Sequence, residues 1–276
     1  VPVRLGGYVL HRNNRDTLGA ALQGLLAVCD DVVALDSLSD DGSVELARSL
    51  GARSVSLPWQ GYGAARAAAV EALGACDYVL FLDSDEAFGP GALEVLRAWK
   101  ASGPTEALYR LPRRDWAELP GRRFRYRTEW RARLVRRDTA RWRPEMIVHE
   151  ALPRMRAPRL HAPIEHRFAT SVERRSQKEE RYALLWALRA HAEGRKPKPA
   201  LLQRPAHLVR DGLLHGAFLR GGADAWRLAW AVAGYHSAKY RYLRALREGA
   251  FPRMVQLYRE GAYAELFERV RAGQLE

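Results

Sequence analysis

Cysteine is nearly absent. Cys29 and Cys76 are the only two in 276 residues, too few for a disulfide framework or a cysteine-rich zinc site. No run of 18 or more uninterrupted apolar residues occurs, which excludes a conventional membrane-spanning helix. The opening Val1 to Leu10 lacks the basic start and long apolar centre of a secretory signal, so the expected location is cytoplasmic. Lysine is scarce, at 5 of the 45 basic residues, leaving arginine to carry the positive charge. That bias follows from GC-rich coding or heat adaptation as readily as from phosphate binding. No phosphate-loop Gly-Lys-Ser, no Ser-His-Asp order and no His-Glu-x-x-His is present. Internal repeats and low-complexity tracts are missing too.

What remains is an ordinary globular composition, 47% apolar and 28% charged, long enough for one large domain or two small ones. The net charge of +13 is unevenly spread. Residues 1–100 carry 8 basic and 13 acidic side chains, whereas the other 176 carry 37 and 19. A uniformly basic chain points first to nucleic acid. An acidic first third joined to a basic remainder points instead to two surfaces with different tasks.

Apolar runs and helical spacing alternate over the first 85 residues. Strands are expected at 3–10, 31–35, 52–57 and 78–82, and helices at 16–28, 43–50 and 62–73. This order predicts an α/β fold with a mostly parallel sheet built from right-handed crossovers. Ligands of such sheets sit at the carboxyl ends of the strands, where Asp36 and Asp83 fall. After a helix near 91–101 the pattern changes to short strands and long loops over 107–168, with aromatics scattered among arginines. Helices are expected again at 171–194, 206–219 and 223–247. The domains read as 1–105, 106–170 and 171–276.

Asp83-Ser84-Asp85, directly after the apolar Tyr78 to Leu82, is the most informative local feature. Two carboxylates at that spacing on a strand end can share a divalent cation with a diphosphate, and hard oxygen ligands suit Mg²⁺ or Mn²⁺. A solvated turn with helix-capping acids has the same pattern. Asp36, at the end of the second expected strand, can accept from a base or ribose, while Ser39, Asp40 and Asp41 can cap the next helix. His149-Glu150 is a candidate base or third metal ligand, with a structural role as the alternative. His161 and His166 have weaker claims.

Taken in order, these segments resemble family 2 glycosyltransferases of the GT-A fold, and the lipopolysaccharide core glucosyltransferase-like branch in particular. The matching pieces are Asn13 after the first strand, Asp36 to Ser43, Trp59-Gln-Gly-Tyr-Gly63, Asp83 to Glu86, Arg133-Leu-Val-Arg-Arg137 and Val148-His-Glu150. The chain departs from the family's pattern at Asn14, at Leu38 where a Gly is customary, and at Ala67. The resemblance implies a GT-A type, Rossmann-like sheet with helices on both faces and a C-terminal helical extension. It implies inverting transfer from a nucleotide-diphosphate sugar to a lipid-linked glycan, with a divalent metal. Asn13, Asp36, Arg66, Asp83 and Asp85 would contact the donor, and Asp85, with Asp83, the metal. Glu129 falls where the family has an Asp, which makes it the expected base, with the His149-Glu150 pair as the alternative.

Residues 204–253 carry 9 basic and 3 acidic residues among Phe218, Trp226, Trp230, Tyr235, Tyr240, Tyr242 and Phe251. Basic amphipathic helices with aromatics suit an anionic membrane surface, here the inner face of the cell membrane; a helical bundle with an Arg-rich solvent face is the alternative. Two rival functions remain: sugar transfer to polyprenyl phosphate, and a non-enzymatic nucleic-acid binder using the basic aromatic surface. The latter leaves the acidic strand ends without a role, so no nucleic acid is expected.

Overall fold

The computed structural model describes residues 2–148, 152 and 155–276, which form two compact units. The first is drawn from the described residues of Val1–Asp115, Thr128–Met146 and Glu150–Arg167. The second is drawn from those of Trp116–Arg127, Ile147–His149 and Phe168–Glu276.

The first unit opens with β1 (Leu5–His11), α1 (Arg15–Leu26), β2 (Asp31–Asp36), α2 (Ser43–Ser49), β3 (Arg53–Ser56), α3 (Tyr62–Ala72) and β4 (Tyr78–Asp83). The expected alternation is present, with bounds shifted by a residue or two. β5 (Glu86–Phe88) and α4 (Ala92–Ala101) follow, then β6 (Leu108–Leu119) up to Asp115, β7 (Arg122–Arg136) from Thr128 and β8 (Ile164–Ala169) up to Arg167, the remaining residues of these three strands belonging to the second unit. The sheet order is β3-β2-β1-β4-β7-β6-β8-β5. β1 lies parallel between β2 and β4, whereas β7 joins β4 antiparallel and β8 joins β5 antiparallel. A parallel block continued by antiparallel strands is the GT-A type sheet expected above.

Strand alternation sends apolar side chains to both faces. Leu5, Val9, Val32, Ala34, Leu80 and Leu82 pack on one side with Leu18, Leu22 and Leu25 of α1 and Leu96 of α4. Tyr8, Val33, Leu35, Val79 and Phe81 pack on the other with Ala65, Ala69 and Val70 of α3. Each fully buried leucine here contributes about 1.5–3 kcal/mol. Gly6 and Gly7 sit inside β1 because of what lies beside them. A Cβ on Gly7 would come 2.7 Å from Cys29 Sγ, and one on Gly6 would come 3.0 Å from Cys76 Sγ. Burial pushes the Cys29 thiol pKa up, so this cysteine is a packing residue rather than a nucleophile.

The region 107–168 differs from the expectation of short strands and long loops. β6 has 12 residues and β7 has 15. Their alternation is masked because inward positions hold arginines. Arg113, Arg127 and Arg133 are all buried, each beside a carboxylate, and a polar–apolar count reads them as surface.

The second unit is mainly helical: α5 (Val172–Ala192), α6 (Ala200–Leu208), a π-helical turn (Val209–Leu214), α7 (Ala217–Arg247), α8 (Pro252–Glu260) and α9 (Tyr263–Ala272). Ser171 caps α5, its Oγ accepting the Arg174 N–H at 3.2 Å. The helix expected over 206–219 is corrected. α6 begins at Ala200 with Pro205 inside it, and the π-helical turn after it turns Asp211 inward, where Arg210 donates to it at 2.6 Å and Arg127 lies 3.4 Å away. α7 is broken at Gly222, with φ 55° and ψ −133°, one residue before the expected start at 223. Among the described residues no helix is long and apolar enough to cross a membrane.

Candidate active site

β4 delivers Asp83 at its carboxyl end, and Glu86 closes the turn that follows. The buried Glu86 carboxylate accepts the Asp83 N–H at 3.1 Å. It also takes the Arg133 guanidinium and lies 3.4 Å from Arg113. Asp83 itself is gripped by Arg66 at 2.8 Å and Arg133 at 2.7 Å. Burial works against its charge, but the two guanidiniums win and hold its carboxyl well below the usual range. Arg66, in turn, is buried beneath the sheet, its guanidinium 4.9 Å from the Phe81 ring centre. Arg66 therefore orients Asp83.

Asp85 points elsewhere. Its Oδ2 lies 3.5 Å from His166 Nε2, and its carbonyl accepts the Arg167 N–H at 3.0 Å. Pairing of β5 with β8 sets Glu86 opposite His166, which fixes the imidazole next to Asp85. Behind the ring, fully buried Asp115 holds Nδ1 at 2.7 Å. A carboxylate only accepts, so Nδ1 carries hydrogen and Nε2 faces Asp85. Burial lowers the His166 pKa, yet the carboxylates of Asp85 and Asp115 outweigh it and the net shift is upward.

Arg113 links this pair to Glu129. Its Nε lies 2.8 Å from Asp115 and its Nη2 3.6 Å from Glu129, which Arg131 also holds at 2.5 Å. Glu129 thus joins the charge network of Asp85 rather than standing in an isolated Arg-rich loop. His149 and Glu150 lie outside the described residues.

A second cluster forms where β1 and β2 end. The Asp36 carboxylate is buried, accepts the Ser39 N–H at 3.1 Å and faces His11 Nδ1 at 3.6 Å. Desolvation lowers the His11 pKa against the pull of Asp36 and Asp41. Asn13 ties the two loops together, its N–H donating to Ser39 Oγ at 2.9 Å and its Oδ1 accepting the Asp40 N–H at 3.0 Å. The Trp59 to Gly63 motif has a packing reason of its own. The Gly63 N–H donates to the Met146 carbonyl at 2.9 Å, and a Cβ on Gly63 would meet the Arg143 carbonyl oxygen at 2.0 Å.

Among the described residues no three His, Cys, Asp or Glu side chains gather as a ready-made metal cluster. Two ligands do fit a hard divalent cation that shares its remaining positions with phosphate oxygens: Asp85 and His166. A proton on Nε2 satisfies the contact with Asp85, in keeping with the upward shift of His166, and a cation would take that proton's place; the Asp115 contact behind the ring is the support a metal-binding histidine needs. Asp83, with each oxygen already on a guanidinium, suits this role less. In sequence His166 has only a weak claim and Asp115 none, because strand pairing, not spacing along the chain, brings them to Asp85.

The family model for glycosyl transferase family 2 matches residues 9–161. An uncharacterized glycosyltransferase of Rickettsia conorii is 32% identical over 83 residues, covering 30% of this chain and 29% of the relative. One from Rickettsia felis is 30% identical over 83 residues, covering 30% and 29%. The chain thus spans under a third of the length of the curated relatives it matches. Solved structures with a likeness include mannosyl-3-phosphoglycerate synthase from Rubrobacter xylanophilus, with a TM-score of 0.33 and 22% identity over 43% of this chain and 41% of that one. Glucosyl-3-phosphoglycerate synthase from Mycobacterium tuberculosis, in complex with Mn²⁺, UDP and glucosyl-3-phosphoglycerate, has a TM-score of 0.34 and 22% identity over 42% and 44%.

Proposed function

The chain belongs to glycosyl transferase family 2, and from that premise we propose that it moves a sugar from a nucleotide-diphosphate donor to an acceptor hydroxyl with inversion at the anomeric carbon. The observation that carries this reading is Asp85 Oδ2 facing His166 Nε2 at 3.5 Å at the carboxyl end of the sheet. Mg²⁺ or Mn²⁺ held by Asp85 and His166 would neutralise charge developing on the departing diphosphate.

The chain's own residues do the rest. Arg66 and Arg133 fix Asp83 for the ribose and diphosphate side of the donor, and Asn13 holds the 36–41 loop beside Asp36 for the base. Glu129 accepts the proton of the attacking hydroxyl as the new bond forms. The guanidiniums of Arg113 and Arg131 hold Glu129 in place.

For the acceptor we propose a sugar on a lipid-linked glycan of the lipopolysaccharide-core kind, met at the inner face of a membrane by a peripherally attached protein. Exposed apolar side chains in the second unit support that part. A panel of nucleotide sugars, assayed for nucleoside-diphosphate release with Mg²⁺, Mn²⁺ or chelator, tests the reading. Metal-dependent release from at least one donor is expected; no release from any donor, with or without lipid-linked acceptor, rejects it.

A further inference from the structure

Eight large apolar side chains are exposed among the described residues, and six of them (Val209, Leu213, Leu214, Leu219, Trp226 and Trp230) fall on one short stretch of the second unit. Leu214 is 78% exposed and Leu219 is 93% exposed, values that carry a solvation cost with no return in the isolated chain. The stretch is continuous. The Phe218 ring fills the space a Cβ on Gly212 would need, at 2.0 Å, and packs on Trp226 at 4.9 Å. Trp226 lies one helical turn from Trp230 on α7.

Beside Trp230 a cleft of about 540 Å³ opens between α6 and α7, lined by Arg204, Pro205, Trp230, Ser237, Arg241 and Arg244 among others. The Arg204 guanidinium lies over the Trp230 ring at 4.4 Å. Gly234 makes room for it, since a Cβ there would come 2.9 Å from Nη2. Arg204 Nε is buried with no hydrogen-bond partner among the described residues. Arg241 reaches the cleft while paired with Glu180 at 2.5 Å, and Glu248 lies on the lining as the single acid. Arg204 and Arg244, with Arg241 shared with Glu180, on an indole floor, make a receptor for a phosphate group attached to something apolar.

We propose that this face of α6 and α7 docks on an anionic phospholipid surface, the cleft taking a headgroup phosphate and the 213–230 segment entering the acyl boundary. The inference rests on the lipid-linked reading of the acceptor for its biological purpose, and on the arginines and exposed side chains for its physics. Trp sits well at the interface between headgroup and hydrocarbon, leucine below it and arginine above it. A second copy of the chain fits less well. Residues 200–248 carry eight basic and three acidic side chains, and a two-fold contact through this patch would set like charges against each other.

The test is co-sedimentation of the full chain with vesicles of phosphatidylcholine alone, or with about a quarter phosphatidylglycerol. Binding to the mixed vesicles is expected, weakening as salt rises. Arg241→Glu with Arg244→Glu should weaken it about tenfold or more, and so should Leu214→Asp with Leu219→Asp. The control pair Arg48→Glu with Arg97→Glu, exposed on the first unit, should change it less than about twofold. Failure of the parent chain to bind mixed vesicles overturns the proposal. So does equal loss in the control pair, which would make binding a matter of net charge alone. A concentration-dependent dimer that the leucine variants dissolve, with no vesicle binding, would assign the patch to a second copy. Thermal stabilisation by a nucleoside diphosphate with Mn²⁺, run on the same variants, reports on the donor site separately, so failure there counts against the glycosyl-transfer reading and leaves the vesicle result standing.

Discussion

Leu38 shows how a single residue carries a readable strain. The sequence marks it as standing where related chains have a glycine, and the structure gives it φ 62°, with the side chain exposed. A left-handed leucine costs roughly 1–2 kcal/mol, and glycine returns part of that through its greater freedom when unfolded. Leu38→Gly is therefore expected to raise stability by about 0.5–1 kcal/mol, read as a higher urea midpoint. An unchanged or lower midpoint would mean that neighbouring contacts absorb the strain. At the candidate site, Asp115 never touches the cation in this account, yet it sets the His166 tautomer through the 2.7 Å contact. Asp115→Asn should weaken Mn²⁺ affinity about 10- to 100-fold, measured by titration in the presence of a nucleoside diphosphate; a purely structural Asp115 would lower the melting temperature and leave that affinity alone. Glu129→Gln should preserve donor binding and slow transfer about 10²-fold or more, whereas transfer at the parent rate would move the base to the His149-Glu150 pair.

At the scale of elements, the parallel half of the fold was legible because each strand is a short apolar run closed by a turn signal, and each intervening helix has its own apolar spacing. The antiparallel half was not. β6 and β7 place arginines inward against Asp83, Glu86, Asp115 and Asp211, so their inward positions look solvent-facing in sequence. Asp85 stands out in sequence from its place after β4, whereas His166 has only a weak claim there, because the β5–β8 register, not spacing along the chain, sets it beside Asp85. Loop packing explains one motif more simply than ligand contact does. Gly63→Ala sets a methyl against the Arg143 carbonyl at 2.0 Å, so a loss of about 1–3 kcal/mol is expected, with the donor site disturbed only as α3 shifts Arg66. The start of β2 also carries a pH signature. Arg53 donates to Asp31 at 2.7 Å and holds its pKa down, and Lys100, at 2.7 Å, does the same for Asp30 against the opposing effect of burial. Because the folded-state pKa values lie below the unfolded ones, these contacts stabilise fully above the unfolded carboxylate range near pH 4 and fade as pH falls through the folded values. Asp31→Asn should cost about 0.5–1 kcal/mol at neutral pH, discounted for the exposed partner, and flatten the acid limb of a stability–pH curve.

Over the whole chain, the charge asymmetry seen in the sequence has a structural counterpart inside each unit. The first unit gathers carboxylates at the strand ends, where Arg66 and Arg133 pair with Asp83 and Arg113 pairs with Asp115. The second unit concentrates arginine beside exposed tryptophan and leucine. Asp85 and His166 at the carboxyl end of the sheet are the pair proposed to hold a divalent cation that in turn binds a nucleoside diphosphate. The most direct test of this assignment is thermal denaturation of the parent chain and of Asp85→Ala across a panel of nucleoside diphosphates, each with and without Mn²⁺. One diphosphate is expected to raise the parent midpoint by several degrees only when Mn²⁺ is present, and Asp85→Ala to lose this gain. An equal, Mn²⁺-dependent gain in Asp85→Ala would contradict the assignment.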